Sequence, residues 1–310
     1  SLFIESAKEW HMYKYEIKTY DGRTLYKSDP YAFFSSERPE TMSKVYDLEG
    51  YQWKDSKYMN TRNNNRSYES QMSIYELHLG SWMKKPTEDF NKFNELVDLL
   101  IPYLIENGYT HVEFMPVYEH PLDQSWGYQG TGYFSASSRF GVPKDLMYLI
   151  DQCHQNDIKV ILDWVPGHIC KDAHGLYMFD GEPLYEYNEE WKRENVVWGT
   201  ANFDLGKGEV QSFLISNALF WMKYFHADGF RIDAVSNIIY FLGDSTHGIN
   251  EGALQFLKSL SKEVFALYDN ALLIAEDSTA YPKVTHPVDL GGLGFNYKWN
   301  MGWMNDTLEY

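Results

Sequence analysis

An α/β fold with a parallel sheet is what this 310-residue sequence predicts, and two observations predict it. From residue 73 onward, short apolar runs alternate with longer stretches whose apolar residues recur every three or four positions. Three of the short runs also end on a carboxylate: Asp163, Asp233 and Glu276. Strand, helix, strand, helix in that order calls for crossover connections and a parallel sheet. Acids at the carboxyl ends of its strands stand where such sheets bind ligands.

The stretch to about residue 60 reads as β structure. Tyr13, Tyr15 and Ile17 alternate with Lys14, Glu16 and Lys18, the period of a half-exposed strand. Asp21-Gly22 predicts a hairpin that returns through Thr24, Leu25 and Tyr26. Two or three strands are too few for an independent sandwich, so 1–60 is expected to be part of a β unit plus a linker. The polar segment 60–70 reads as the connector.

Residues 61–310 then carry the alternating pattern. A strand at 74–79 precedes a helix striped by Phe90, Phe93, Leu96, Val97, Leu100, Ile101 and Leu104. A strand at 111–116 leads to a helix with Leu146, Leu149, Ile150 and Cys153 on its buried side. The third strand spans 159–165. Val210, Phe213, Leu214, Ala218 and Trp221 stripe the helix before a strand at 229–233. Leu257, Leu260, Val264 and Leu267 do the same before a strand at 272–276, and a weaker sixth strand signal lies at 295–299. A closed (β/α)8 barrel needs eight strands. The expectation is therefore a TIM-type barrel, incomplete in this chain and represented by strands one to six. Between 165 and 210 lies a connection too long for a simple turn and rich in aromatics, from Tyr177 to Phe203. Loops of that length are usually lids, binding loops or disorder; the aromatics argue against disorder, and this one leaves the ligand-binding end of its strand.

Composition narrows the function. Lys plus Arg number 27 against 44 Asp plus Glu, a net charge of −17. That excess of acid argues against binding nucleic acid or an anionic membrane face, both of which need clustered positive charge. Two cysteines, Cys153 and Cys170, make no disulfide framework. No apolar run is long enough to span a bilayer and no leader pattern opens the chain, so a cytoplasmic protein is expected. With no G-x-G-x-x-G, P-loop, H-E-x-x-H or complete calcium loop, no cofactor and no metal is expected. Aromatic residues make up 17% of the chain. Beside an acidic surplus, that share suits surfaces that stack neutral, hydroxyl-rich ligands such as sugars.

Taken singly, an acid at a strand end is more simply a helix cap or a solvated side chain. Three at equivalent positions are harder to dismiss. Arg231 lies two residues before Asp233, so both side chains face the same way from one strand. A fixed guanidinium beside Asp233 favours its ionised form, which a glycosyl nucleophile requires. Glu276, on the next strand, would have to arrive protonated to serve as the general acid. Two such acids flanking a glycosidic bond carry out retaining glycosyl transfer through a covalent sugar ester.

The motifs around these acids carry a resemblance. Asp163-Trp164-Val165-Pro166-Gly167-His168, Gly229-Phe230-Arg231-Ile232-Asp233-Ala234-Val235 and Ala275-Glu276-Asp277-Ser278 resemble, in order and spacing, three signature regions of the α-amylase superfamily. Within it, the segments 75–82, 126–129 and 291–303 resemble the glucan branching enzymes, and the resemblance covers essentially the whole chain. It implies Asp233 as nucleophile, Glu276 as acid/base, and Arg231 as the partner holding Asp233. Asp163, Tyr128 and His168 match residues that line the donor sugar's pocket, Tyr128 as an aromatic platform and His168 as a hydrogen-bond partner of a sugar hydroxyl. The implied reaction cuts an α-1,4-glucan (glycogen, amylose or amylopectin) and passes the piece to a 6-hydroxyl. A hydrolase of the same superfamily, amylase-type or debranching, is the nearest alternative, and a non-catalytic glucan binder the other. The residues before 60 resemble the end of the carbohydrate-binding module that precedes the barrel in that family. The superfamily's fourth signature, a His-Asp pair, is not found before Tyr310. On that ground the chain is expected to be an internal piece, truncated before the last barrel strands and inactive by itself.

Overall fold

A computed structural model describes residues 3–62, 67–83 and 90–310. Its centre is a six-stranded sheet, all parallel, of β1 (Ile74–Leu77), β2 (His111–Phe114), β3 (Lys159–Trp164), β4 (Gly229–Ile232), β5 (Leu272–Ala275) and β6 (Tyr297–Lys298). Each strand pairs with its neighbours in sequence, in the order β6-β5-β4-β3-β2-β1. A doubly wound sheet reverses direction part-way, whereas a (β/α)8 barrel adds every strand on the same side. This is therefore barrel winding, and the chain supplies six of its strands. The helices α1 (Phe93–Glu106), α2 (Pro143–Gln155), α3 (Gly208–Tyr224), α4 (Val235–Ile239), α5 (Glu251–Leu267) and α6 (Met301–Glu309) accompany them.

Alternation along the strands separates two apolar layers. Val112, Phe114, Val160, Leu162, Phe230, Ile232, Leu273 and Ala275 join the helix stripes in one large core. On the opposite face, Ile161, Leu272 and Ile274 pack with Met72, Ile74, Tyr297 and Trp299 in a second, smaller cluster inside the barrel. Because side chains alternate with a period of two, Glu113, Asp163 and Arg231 share that interior face. Gly229 is needed where β4 meets β5: a Cβ there would lie 2.0 Å from the Leu272 carbonyl oxygen.

The helix stripes are where the periodicity puts them, with two adjustments, the first being that Phe90 stands ahead of α1 and not on it. Leu267 ends α5 exposed rather than buried, because the helix stops there and the chain turns away at Tyr268. Asn250 caps the other end of α5, its side chain accepting from the Ala253 N–H at 3.2 Å. The long connection after β3 is a small structure of its own rather than a loop. His168–Ile169, Thr200–Asn202 and Glu194–Asn195 form an antiparallel sheet over buried Tyr187 and Phe203. The connection after β2 carries a second excursion, a hairpin of Tyr118–Glu119 with Gly132–Ala136.

The N-terminal residues make a hairpin, Tyr15–Lys18 with Thr24–Lys27, and a three-stranded sheet of Met12–Tyr13, Ser43–Lys44 and Phe34–Ser35. The alternation from Tyr13 to Ile17 is thus divided between two sheets at Lys14. The connector read at 60–70 lies partly outside the described residues, at 63–66. Its described start is the helix Ser56–Arg62, which seals the barrel floor. There His154 is held between Asp55 and Asp228, 3.0 Å from each. The Tyr58 hydroxyl donates to Asp228 at 2.8 Å. Each His154 ring nitrogen faces a carboxylate oxygen, a setting that favours the doubly protonated ring. Burial opposes that charge, but Asp228 and Asp55 push the His154 pKa up.

Candidate active site

Three adjacent strand ends build a cluster of charge at the carboxyl rim of the barrel. The register that pairs Asp163 with Arg231 and Ile232 with Ala275 brings Asp233 and Glu276 out side by side, one residue beyond their strands. The backbone ladder continues past them: Asp233 donates to the Trp164 carbonyl at 2.9 Å and Glu276 to the Ile232 carbonyl at 3.0 Å. Both acids thus leave a hydrogen-bonded backbone rather than a free loop.

Arg231 sits among the acids. Its Nη1 donates to Asp233 Oδ1 at 2.5 Å and to Asp163 Oδ1 and Oδ2 at 3.1 and 3.3 Å. Its Nη2 lies 3.8 Å from Glu276 Oε2. One guanidinium is therefore shared by three carboxylates. Glu276 Oε2 also accepts the Ala234 N–H at 2.7 Å. Ala234 reaches that position in a left-handed conformation, φ 47°, which costs a non-glycine residue about 1 kcal/mol or more. Such strain is commonly retained at functional sites.

Tyr128 comes in from the excursion after β2 and donates its hydroxyl to Asp163 Oδ2 at 2.5 Å. Burial, together with the Asp163 charge, pushes the Tyr128 pKa up, so the phenol stays a donor. Asp163 itself is almost wholly buried. Burial raises its pKa, and Arg231 pulls it back. Trp126, two residues before Tyr128, is 55% exposed, leaving an aromatic ring open to solvent next to this excursion. One ring nitrogen of His168 is engaged within the protein. Its Nε2 donates to the Tyr128 carbonyl at 2.9 Å, and its ring lies 5.0 Å from that of Trp198. Its Nδ1 is buried without a partner among the described residues. In this arrangement His168 braces the backbone of Tyr128.

Asp163, Arg231, Asp233, Glu276 and Tyr128 are thus brought together by direct contacts, with His168 one step behind. Sequence reasoning missed Glu113. It stands on β2, in register with Glu76 on one side and Ile161 on the other. It is completely buried, with neither carboxyl oxygen partnered among the described residues. Burial first, then the Asp163 and Glu76 charges, push its pKa up to about 8, so it is neutral at pH 7. A charged residue inside the apolar run His-Val-Glu-Phe was the available signal.

Two clefts deserve comparison with this geometry. One of about 290 Å³ adjoins Glu276 and is lined by Asp277, Thr279, Lys298 and Trp299. Lys298 is fixed there by Asp277 at 2.7 Å and the Thr279 carbonyl at 2.6 Å. A larger cavity, about 440 Å³, opens between the N-terminal segment and the barrel, around Asp29, Arg38 and His174. Size favours the second and chemistry the first, which adjoins the carboxylate cluster.

Known proteins resemble this chain closely. Residues 97–198 match the family model for the alpha-amylase catalytic domain. All of the chain aligns at 61% identity with 46% of the 1,4-alpha-glucan branching enzyme GlgB of Bacillus caldolyticus. The corresponding enzyme of Geobacillus stearothermophilus is 60% identical over 309 residues, 48% of its length. That of Bacillus subtilis is 58% identical over 310 residues, 49% of its length. The chain thus spans about half the length of the curated relatives it matches. A crystal structure of a candidate alpha amylase from Salmonella typhimurium superposes with a TM-score of 0.71 over 96% of this chain and 46% of that one. At 22% identity it speaks to the fold alone.

Proposed function

This chain is a member of the α-amylase superfamily, homologous along its whole length to bacterial 1,4-α-glucan branching enzymes, and we propose that it carries the donor-side chemistry of such an enzyme. The observation that bears most weight is the single guanidinium of Arg231 shared by Asp163, Asp233 and Glu276 at the ends of successive strands. In this reading Asp233 attacks the anomeric carbon of an α-1,4-linked glucose while Glu276 protonates the departing glycosidic oxygen. The C–O bond to the leaving chain breaks as the bond to Asp233 forms. Glu276, now a carboxylate, takes the proton from an incoming 6-hydroxyl, whose oxygen displaces Asp233 to make an α-1,6 branch.

Arg231 fixes the Asp233 carboxylate through Oδ1 and leaves Oδ2 as the attacking oxygen. Asp163, buried behind Tyr128, accepts its hydroxyl at 2.5 Å and so fixes the aromatic platform for the donor sugar, and His168 holds the Tyr128 backbone in place. Transfer prevails over hydrolysis only if water is kept from the ester. The structured excursion over 168–203 and the exposed ring of Trp126 supply material for such a wall. The substrates are then α-1,4-glucans: glycogen, amylose or amylopectin.

The full-length product of the gene incubated with amylose tests this. Branching lowers iodine colour with little rise in reducing ends, whereas the amylase-type or debranching alternative raises reducing ends in step. Asp233→Asn is expected to reduce conversion by a factor on the order of 10³ or more. Conversion left intact in that variant would remove Asp233 from the mechanism.

A further inference from the structure

At the other end of the barrel, three ligating side chains from distant parts of the sequence meet. Asp55 Oδ2 accepts from His154 Nδ1 at 3.0 Å and from His226 Nδ1 at 2.7 Å. The ligating atoms of all three residues lie within 4.8 Å of one another. Asp55 comes from the segment before the barrel, His154 from the last turn of α2, and His226 from the loop before β4.

We propose that Asp55, His154 and His226 form a binding site for one divalent metal ion of zinc's borderline type, separate from the carboxylate cluster. Two imidazoles and one carboxylate, with a fourth position left to water, are a recurrent zinc ligand set. The outer shell supports it. His154 directs its Nε2 to Asp228 Oδ2 at 3.0 Å, and Asp228 is itself fixed by Tyr58 and by the Val160 N–H at 2.8 Å. A carboxylate behind a ligating histidine sets the tautomer and strengthens the ligand. His226 is stacked on Trp53 with ring centroids 3.7 Å apart, which fixes its plane.

Both Nδ1 hydrogens point at the same oxygen, Asp55 Oδ2. A divalent ion would take the place of those hydrogens, leaving His154 bonded through Nε2–H to Asp228. Ligand atoms around a four-coordinate zinc stand about 3.3–3.5 Å apart, given bonds of about 2.0–2.1 Å. From 3.0 and 2.7 Å, the two contacts at Asp55 therefore have to open by about 0.3–0.8 Å. The side chain of His226, 19% exposed, gives that site its access from solvent. No local motif announces the cluster, because its members lie 99 and 171 residues apart from Asp55 along the chain.

The experiment uses the chelator-treated chain and zinc chloride alone. Thermal unfolding should shift upward, saturating at one equivalent, by about 5 °C at free zinc ~100-fold above Kd. In His226→Gln, a partly exposed position, the shift should be lost. Absence of a zinc-dependent shift, or an equal shift in His226→Gln, overturns the proposal. Should that variant fail to fold, cobalt(II) added to the unsubstituted chain decides. A visible absorption that saturates at one equivalent and is displaced by zinc supports the site, and the spectrum of the aqua ion alone refutes it.

Discussion

Arg231 is one side chain with three obligations, and its shape explains how it meets them. Nη1 serves Asp233 and Asp163 while Nη2 faces Glu276. A planar fork can do this from one position, whereas an ammonium is a compact charge on a flexible stem. Arg231→Lys is therefore expected to retain the net charge and the fold but to leave Asp233 poorly aimed. In the full-length gene product, kcat for glucan conversion should fall about 100-fold while KM changes far less. Steady-state kinetics on amylose check this, and an unchanged kcat would mean that the guanidinium does not aim the nucleophile. The Arg231–Asp233 relation was legible because it depends only on the two-residue period of a strand. The Tyr128–Asp163 bond was not, since it joins residues 35 apart through an excursion whose path no local pattern encodes. His168 shows the same limit. Its residue type was readable, but its partner, the Tyr128 carbonyl, is set by tertiary contact.

At the scale of the element, β2 carries the cost of a buried carboxyl group without a partner among the described residues. A buried Glu113 with no partner for either oxygen, flanked by Glu76 and Asp163, holds its proton up to about pH 8. The unfolded chain releases that proton near the ordinary value of 4.5. Between these values the unfolded state binds fewer protons than the folded one, so stability falls as pH rises through the window and levels off above it. Glu113→Gln, neutral at every pH, should match the unsubstituted chain at pH 4 and become more stable than it by several kcal/mol at pH 8. Denaturant unfolding at a series of pH values, read as the difference between the two proteins, isolates this residue from other titrations. A difference that stays flat from pH 4 to 8 would place Glu113 in a more polar setting than the structure gives it. The strands themselves were readable from apolar runs and the helices from their stripes. The sheet hidden in 168–202 was not, because strands of two or three residues are too short to display a period.

For the whole molecule, the question is whether the N-terminal β segment and the barrel are separate folding units. Their sequence textures differ, which is why a boundary near residue 60 is the natural reading. The packing argues for continuity. Phe34, Tyr46 and Leu48 belong to the same buried cluster as Leu149 and Ile150 of α2 and Val160 of β3, and Phe33 stacks on Phe220 of α3 at 5.5 Å. Ser35 bonds Ser135 at 3.0 Å, and Lys27 donates to the Tyr177 carbonyl at 2.8 Å. Phe34, only 3% exposed, meets Trp10 and Tyr46 edge-on within the N-terminal segment and belongs to the buried cluster shared with the barrel. Phe34→Ala should cost about 3–5 kcal/mol, the usual result of emptying an aromatic core site. If the core is continuous, the loss is felt by both parts at once. The helical far-UV signal, which comes almost entirely from the barrel, should then melt earlier together with the near-UV aromatic signal, in one transition. A helical midpoint that stays in place while an earlier aromatic step appears would instead mean that the N-terminal segment unfolds by itself and only leans on the barrel.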